Sequence, residues 1–199
     1  MGAESTNLYD LIGSRICHDL ISPIGAIANG VELLGMGGIG DQTPELDLIN
    51  QSVENASARI RLYRIAFGVA SPVQMVGHAE INSVMSEYFA PTRLSVSAAQ
   101  LADCPRPEVK VLFLLLLCAE SCMPYGGSIR VTRTDKVWHV TGEADKIKND
   151  PAILAWFGSQ DQPEPTSALV HFALLAQLGQ RDNKRVHVDV GLTKIALSY

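Results

Sequence analysis

The residues with the clearest chemical potential lie together near the start of the chain: His18, Asp19 and Ser22, with Pro23 directly after them. A neutral imidazole can attack phosphorus with one ring nitrogen while the other keeps its proton. The carboxylate of Asp19 can hold that protonated nitrogen and stabilise the cation that forms when the ring is phosphorylated. One helical turn on, the Ser22 hydroxyl can hydrogen-bond a phosphoryl oxygen or a water. This grouping predicts a phospho-accepting histidine, with His18, Asp19 and Ser22 as catalytic residues.

The apolar pattern around His18 predicts an amphipathic helix that begins after a capping Asn7 and runs to about Leu34. On a wheel of about 100° per residue, the apolar side chains form a stripe about 120° wide, and His18 lies roughly opposite its middle. The His18 ring should therefore face solvent or a partner while the helix is anchored behind it. The stripe comprises Ile12, Ile16, Leu20, Ile24, Ile27, Val31 and Leu34. The opposite face predicts a partner-binding surface of Arg15, Ile21, Gly25 and Asn29.

Pro23 is an unusual residue for a helix interior. It removes one backbone hydrogen bond and clashes with the carbonyl four residues earlier, at a cost of about 3 kcal/mol. That carbonyl belongs to Asp19, so we expect a kink and a freed acceptor one turn from His18. Local violations of this kind are typical of functional sites.

Composition excludes several classes of function. The chain has 199 residues, 47% apolar and 19% charged, which predicts a soluble globular protein of one or two domains. A net charge of −5 argues against nucleic acid as a partner, because nucleic acid requires basic patches. The longest apolar run, 111–119, is far shorter than the roughly 20 residues of a membrane-spanning helix. No signal peptide is visible, so we expect the cytoplasm and no membrane partner.

A second helix follows a glycine-rich stretch. Residues 35–40 fit the Gly-x-Gly-x-x-Gly spacing, but a helix rather than a strand precedes them, so we interpret them as a linker. Thr43 is predicted to cap, and Pro44 to open, a helix that Gly68 ends. Two helices with a short connection form an antiparallel hairpin that leaves apolar surface uncovered. This predicts a homodimer in which two hairpins form a four-helix bundle.

Folding the hairpin about its loop brings residues 60–64 opposite His18. Arg61 and Arg64 could then offer positive charge to a phosphoryl group and contact a partner. An equally good interpretation is that both arginines are solvated charges on an exposed face.

Residues 71–199 alternate between helical and strand patterns. Predicted helices cover 80–89, 107–123, 151–157 and 167–178, and predicted strands cover 94–97, 128–132, 137–141, 185–190 and 193–198. This order predicts a two-layer α/β sandwich, with helices on one face of a single sheet. The fold class is therefore α+β, with a helical hairpin for dimerisation and phosphotransfer in 1–70 and a sandwich domain in 71–199.

The stretch His18-Asp19-x-x-Ser22-Pro23 resembles the histidine box of two-component sensor kinases, in which a helix-borne histidine precedes an acid, a small polar residue and a proline. The order of hairpin and sandwich also resembles the dimerisation and ATP-binding domains of those kinases. The ATP site does not carry over. Such kinases have a metal-binding Asn at the position that Cys118 occupies in this chain. They also have an Asp-x-Gly-x-Gly motif after a strand, and residues 140–146, which take that place here, do not contain it. A second glycine-rich box before the helix at 167 is also missing.

An accepting histidine without a nucleotide site resembles the ChpT-type histidine phosphotransferases of alphaproteobacterial phosphorelays, as does the stretch 63–68. The resemblance implies a cytoplasmic homodimer that takes a phosphoryl group from the receiver domain of a hybrid histidine kinase. It passes the group to receiver domains of response regulators that control the cell cycle. The receiver domain is expected to supply Mg²⁺. This chain is expected to bind neither ATP nor a metal ion.

Three alternatives remain open. A non-catalytic dimeric adaptor for receiver domains would need no reactive His18. A residual ATP-dependent kinase or phosphatase would need an unfamiliar nucleotide groove. A metal or hydrolytic site has little support, because the other four histidines show no ligand-like grouping; they are His78, His139, His171 and His187. We interpret Trp138 and Trp156 as core or interface anchors. The four cysteines, Cys17, Cys104, Cys118 and Cys122, form no Cys-x-x-Cys pair, and we interpret Cys118 and Cys122, one helical turn apart in an apolar segment, as buried free thiols.

Overall fold

The computed structural model describes residues 7–37, 44–99, 101–158 and 162–199. The N-terminal part is a pair of long helices, α1 (Leu8–Gly37) and α2 (Pro44–Ala66). Asp19 meets Tyr63 near one end of the pair, and Gly30 meets Ile49 near the other, so the helices run antiparallel. A Cβ at Gly30 would lie 2.6 Å from Ile49 Cγ1, so the absent side chain allows the close approach. The predicted helical hairpin is confirmed.

The ends of α1 and α2 follow local chemistry. Asn7 caps α1, because its Oδ1 accepts a hydrogen bond from the Tyr9 amide at 3.1 Å. The helix continues through Pro23 and reaches Gly37. The predicted linker at residues 35–37 is therefore wrong, because glycine costs a helix about 1 kcal/mol without forbidding it. Residues 38–43, including the predicted cap Thr43, lie outside the described residues.

The second half contains one five-stranded sheet and four α-helices among the described residues. Its helices are α3 (His78–Phe89), α4 (Arg106–Cys122), α5 (Pro151–Gly158) and α6 (Val170–Arg181), with a 3₁₀ turn at Ser167–Leu169. The sheet strands are β2 (Leu94–Ala98), β4 (Gly127–Thr134), β5 (Val137–Glu143), β6 (His187–Val190) and β7 (Lys194–Ser198), in the order β2-β4-β5-β7-β6. β2 and β4 are parallel and the other neighbours antiparallel. The short strands β1 (Met75–Val76) and β3 (Cys104–Pro105) pair separately and were not predicted.

The sheet alternates in the way a half-buried sheet must. Every second residue of the central strands is buried against the helices, as in Ile129 and Val131 of β4 and Trp138 and Val140 of β5. The turn between these strands places Asp135 and Lys136 at φ of 51° and 66°, as a two-residue hairpin requires. The α+β fold class and the sandwich with helices on one face are confirmed.

Helix α4 lies at the centre of the core. Residues 111–119 are all buried, because the sheet covers one side of α4 while α2 and α6 cover others. Arg106 also donates to the Arg64 carbonyl at 2.9 Å, and Lys110 donates to the Gly68 carbonyl at 2.9 Å. The hairpin is thus bound to the helix layer of the second half. The division of the chain into domains at residue 70 stays a prediction.

Part of the predicted apolar stripe is exposed in the single chain. The side chains of Ile24 and Val31 on α1 are each 56% exposed, and Val53 and Ile60 on α2 are also exposed. Large exposed apolar patches mark interaction surfaces. The patch is what the predicted four-helix bundle of a homodimer would cover, and the dimer stays a prediction.

Candidate functional site

His18 lies on α1 with its side chain 85% exposed. The prediction that its ring faces away from the core is confirmed. Its Nδ1 lies 3.0 Å from Oδ1 of Asp19, although adjacent helical residues do not usually face each other. Because a carboxylate only accepts hydrogen bonds, this contact assigns the proton to Nδ1. Nε2 is then the nitrogen with a free lone pair.

Asp19 is held much more firmly than His18. Its Oδ2 accepts a hydrogen bond from Arg15 Nε at 2.6 Å and another from the Tyr63 hydroxyl. Burial alone would raise the pKa of Asp19, but hydrogen bonds from Tyr63, His18 and Arg15 outweigh burial and lower that pKa. Asp19 is therefore a fixed carboxylate beside an exposed imidazole.

The side chain of Arg15 turns toward the chain's own second half. Its Nη1 donates to the Ala168 carbonyl at 2.8 Å, in the 3₁₀ turn before α6. Arg15 is thus committed to Asp19 and Ala168 and is not displayed with the predicted partner surface. Ile21 and Gly25 do face solvent: the Ile21 side chain is 69% exposed, and a Cβ at Gly25 would meet no described atom within 4 Å. Asn29 is exposed on the same helix.

A groove of about 440 Å³ runs between the two helices beside His18. The hydroxyl-bearing Ser22 lines this groove with His18 and Asp19, so the structure brings together the three predicted catalytic residues. The remaining lining residues are Pro23 and Ala26 from α1 and Leu48, Gln51, Ser52, Asn55 and Arg59 from α2.

The two arginines singled out from the sequence bind elsewhere. Arg61 forms an ion pair with Glu87, and Arg64 Nη2 lies 3.6 Å from Glu80. Neither lines the groove, whereas Arg59 does. Residues 60–64 do lie close to His18, as the hairpin predicted, because Tyr63 contacts Asp19. The side chains of Arg61 and Arg64, however, point away from the groove. Arg59 and Tyr63 are four residues apart and share the face toward α1, a spacing that could have identified both.

Comparison with known proteins decides the family. The histidine phosphotransferase C-terminal domain family matches residues 78–193, more than half of this chain. The protein phosphotransferase ChpT of Brucella abortus (strain 2308) is 35% identical over 172 residues, which cover 83% of this chain and 81% of that relative. This chain belongs to the histidine phosphotransferase family. A solved structure described as a bacterial phosphotransferase matches with a TM-score of 0.81 at 29% identity, covering 100% of this chain and 98% of that one.

Family membership makes the chain a phosphotransfer protein. The matched family region begins at residue 78, after α2, and does not include the helix that carries His18. The role of His18 in this histidine phosphotransferase is therefore inferred from the geometry of α1 and α2.

Under the site, the interior of this histidine phosphotransferase contains further titratable groups that do not reach the groove. Glu120 accepts a hydrogen bond from the Tyr88 hydroxyl at 3.0 Å, and burial raises the pKa of Glu120. His171 is fully buried beside Ser121, with its Nε2 3.0 Å from the Ser121 Oγ, and burial lowers the pKa of His171 to about 3. In the described ranges, no group of three His, Cys, Asp or Glu side chains could hold a metal ion.

The position where sensor kinases carry a metal-binding Asn is part of the packed core here. Cys118 is fully buried in α4, and burial raises the pKa of its thiol well above the usual value. The structure bears out the interpretation of Cys118 and Cys122 as buried free thiols, and it places Trp138 and Trp156 in the core. Cys104 is also buried and free, and Cys17 is free and exposed. Among the helices that the structure describes, none has both the length and the apolar content needed to cross a bilayer.

Proposed function

We propose that His18 accepts a phosphoryl group from the receiver-domain aspartate of a hybrid histidine kinase and passes it to receiver domains of response regulators. The observation that supports this proposal best is an 85% exposed imidazole whose Nδ1 contacts a fixed carboxylate. That contact assigns the proton to Nδ1, so Nε2 is the nucleophile.

The transfer needs no oxidant and no net proton. The Nε2 lone pair attacks phosphorus, the new N–P bond forms as the P–O bond to the receiver breaks, and the receiver aspartate departs as a carboxylate. The His18 ring keeps its Nδ1 proton and becomes a cation, which the Asp19 carboxylate stabilises at 3.0 Å. In the second half of the relay, a carboxylate of another receiver attacks phosphorus and the electron pair returns to Nε2.

Two groups in the groove suit the developing charge. The Ser22 hydroxyl can donate to a phosphoryl oxygen, and the Arg59 guanidinium supplies positive charge on the same groove. The open space at Gly25 lets a partner helix approach α1. Such a site acts mainly by positioning, which is how most phosphoryl transfer is catalysed.

The proposal includes a homodimer and excludes nucleotide use by this chain. Pairing of two hairpins would cover the exposed Ile24, Val31, Val53 and Ile60. The buried, protonated thiol of Cys118 suits neither a metal nor phosphates, which supports phosphotransfer without ATP. The Mg²⁺ needed for the transfer would be held by the receiver domain.

The test is transfer of radiolabelled phosphate from a phosphorylated receiver domain to this protein. The wild type should take up label that is lost in acid, as a phosphohistidine is, and a His18→Gln variant should take up none. His187→Gln, which alters another exposed histidine, is the matched control and should behave as the wild type. Receiver binding without label on any variant would overturn the proposal in favour of an adaptor, and label from ATP alone would indicate a kinase.

A further inference from the structure

Two donors from different helices meet on the oxygen of Asp19 that faces away from His18. Arg15 reaches it from one turn earlier on α1, and Tyr63 reaches it from α2. We propose that Tyr63 and Arg15 are positioning residues, which hold Asp19 so that its other oxygen stays on Nδ1 of His18. This inference rests on the proposed function, because it concerns which nitrogen of His18 is free to attack phosphorus.

The contact between His18 and Asp19 is not secured by its own surroundings. The His18 side chain is 85% exposed, so water competes for both ring nitrogens. The terminal torsion of an aspartate is broad, and a carboxylate free to rotate would lose its aim at Nδ1. Donors on Oδ2 from both helices remove that freedom. The exposed His18 thereby gains a fixed acceptor without being buried itself.

Tyr63 is built to hold its position. It is 3% exposed, its ring stacks on Phe67 with 5.1 Å between centroids, and it meets the Tyr88 ring edge-on at 6.3 Å. Burial and the hydrogen bond to Asp19 raise the pKa of Tyr63, so the hydroxyl remains a donor across the neutral range. The phenol is therefore a permanent, immobile donor.

Arg15 connects the site to the second half of the chain. Its Nε donates to Asp19 at 2.6 Å and its Nη1 donates to the Ala168 carbonyl at 2.8 Å. Ala168 belongs to the 3₁₀ turn before α6, within the region that the family match covers. The orientation of Asp19, and so the tautomer of His18, depends on the docking of the second half against α1. A lysine could not make both contacts, because its single ammonium lacks the planar, divergent donors of a guanidinium.

The test measures the His18 tautomer and phosphotransfer in the same set of full-length variants. Protein with ¹⁵N-labelled histidine is examined by long-range ¹H–¹⁵N NMR at pH 8, with His18 assigned by its loss in His18→Gln. The wild type should carry its proton on Nδ1. Tyr63→Phe, which removes one oxygen and keeps the ring packing, and Arg15→Lys should each give a mixture of tautomers. Both should slow phosphotransfer about tenfold at saturating receiver, with little change in the receiver concentration for half-maximal rate.

Tyr88→Phe is the matched control. It removes a buried phenol oxygen from the same aromatic group, one that donates to Glu120 rather than to Asp19. It should lower the free energy of unfolding and leave the His18 tautomer unchanged. This separates positioning from general loss of stability.

The outcomes distinguish this inference from the proposed function. An unchanged Nδ1–H tautomer in Tyr63→Phe and Arg15→Lys would overturn the positioning role, whatever the transfer rates. Altered tautomers in a protein whose wild type accepts no phosphoryl group from any receiver would support the positioning role and overturn the proposed function. If Tyr63→Phe does not fold, Arg15→Lys decides alone, since it leaves all the aromatic packing in place.

Discussion

Two histidines, His18 on α1 and His171 in the interior, have the same side chain in opposite environments. His18 is exposed, and a fixed carboxylate contacts its Nδ1. His171 is fully buried, pairs with Ser121 through Nε2, and its Nδ1 has no hydrogen-bond partner among the described residues. In the proposed transfer, exposure gives His18 access to phosphorus, and the Asp19 carboxylate stabilises the cation that forms on its ring. His171 has neither, so its chemistry affects stability rather than transfer.

The largest effect should follow from removing the His18 imidazole. We expect His18→Gln to slow receiver-to-protein phosphotransfer by more than about 1000-fold, because in the proposed reaction the N–P bond forms on Nε2 of His18. The free energy of unfolding, measured by urea titration, should stay within about 0.5 kcal/mol of the wild type, since the side chain is exposed. Fast transfer in this variant would show that His18 is not the phosphoryl acceptor.

The matching effect at His171 is on stability and depends on pH. Burial, with a smaller contribution from Arg15, lowers its folded-state pKa to about 3, below the ordinary value of 6.5, while Asp19 opposes this shift. The unfolded chain therefore binds a proton at higher pH than the folded chain does. The contribution of neutral His171 to the free energy of unfolding is fully present above pH 6.5 and decreases as the pH falls from 6.5 toward 3. The loss is on the order of 4 kcal/mol over that window.

This contribution can be isolated with a His171→Gln variant, which keeps a polar group near Ser121. Its unfolding free energy should depend less steeply on pH between 6.5 and 4 than that of the wild type. His187→Gln should retain the wild-type slope. Equal slopes in all three proteins would mean that His171 is not held neutral by burial.

Asp19 should have the next largest effect. Asp19→Asn keeps the shape of the side chain but removes the negative charge beside the His18 ring. We expect phosphotransfer to slow about 100-fold, which is typical for loss of a group that orients and stabilises a reacting imidazole. Chemical phosphorylation of the variant by phosphoramidate would check that His18 stays accessible. A rate within twofold of the wild type would show that exposure alone makes His18 reactive.

The smallest effect distinguishes two arginines on α2. Arg59 lines the groove beside His18, whereas Arg61 is paired with Glu87 outside it. Arg59→Gln should slow phosphotransfer about tenfold by weakening charge stabilisation at the phosphoryl group. Arg61→Gln should have little effect, as expected for an exposed ion pair. The reverse result would restore the sequence-based assignment of Arg61.

Much of the fold was accessible from the sequence because its patterns are local. Apolar spacing predicted α1 and α2, and alternation predicted the hairpin in which Val131 pairs with Val140. The same logic placed His18 on the exposed face. The helical ends were less predictable: Gly35 and Gly37 lie inside α1, because helix propagation there outweighs the local cost of glycine.

The partners of the site residues depend on contacts distant in sequence. Nothing near Arg15 indicates that its guanidinium reaches the Ala168 carbonyl, 153 positions away. The choice of Arg59 and Tyr63 over Arg61 and Arg64 depends on which face of α2 meets α1, a question that the hairpin register alone does not answer. The helical periodicity of α2 could have favoured Arg59 and Tyr63 as the residues that face α1. The contact between Arg15 and Ala168 could be found only from the structure.

The role of His18 is tested most directly by locating the phosphoryl group on the protein by NMR. The protein would be labelled with ¹⁵N-histidine, phosphorylated by a receiver domain, and examined for one-bond coupling between ³¹P and a ring nitrogen. The proposed mechanism predicts one phosphohistidine, coupled through Nε2, whose signal is lost in His18→Gln and kept in His187→Gln. Phosphorus on Nδ1 of His18, or on any other residue, would contradict the geometry in which Asp19 holds Nδ1 and leaves Nε2 to react.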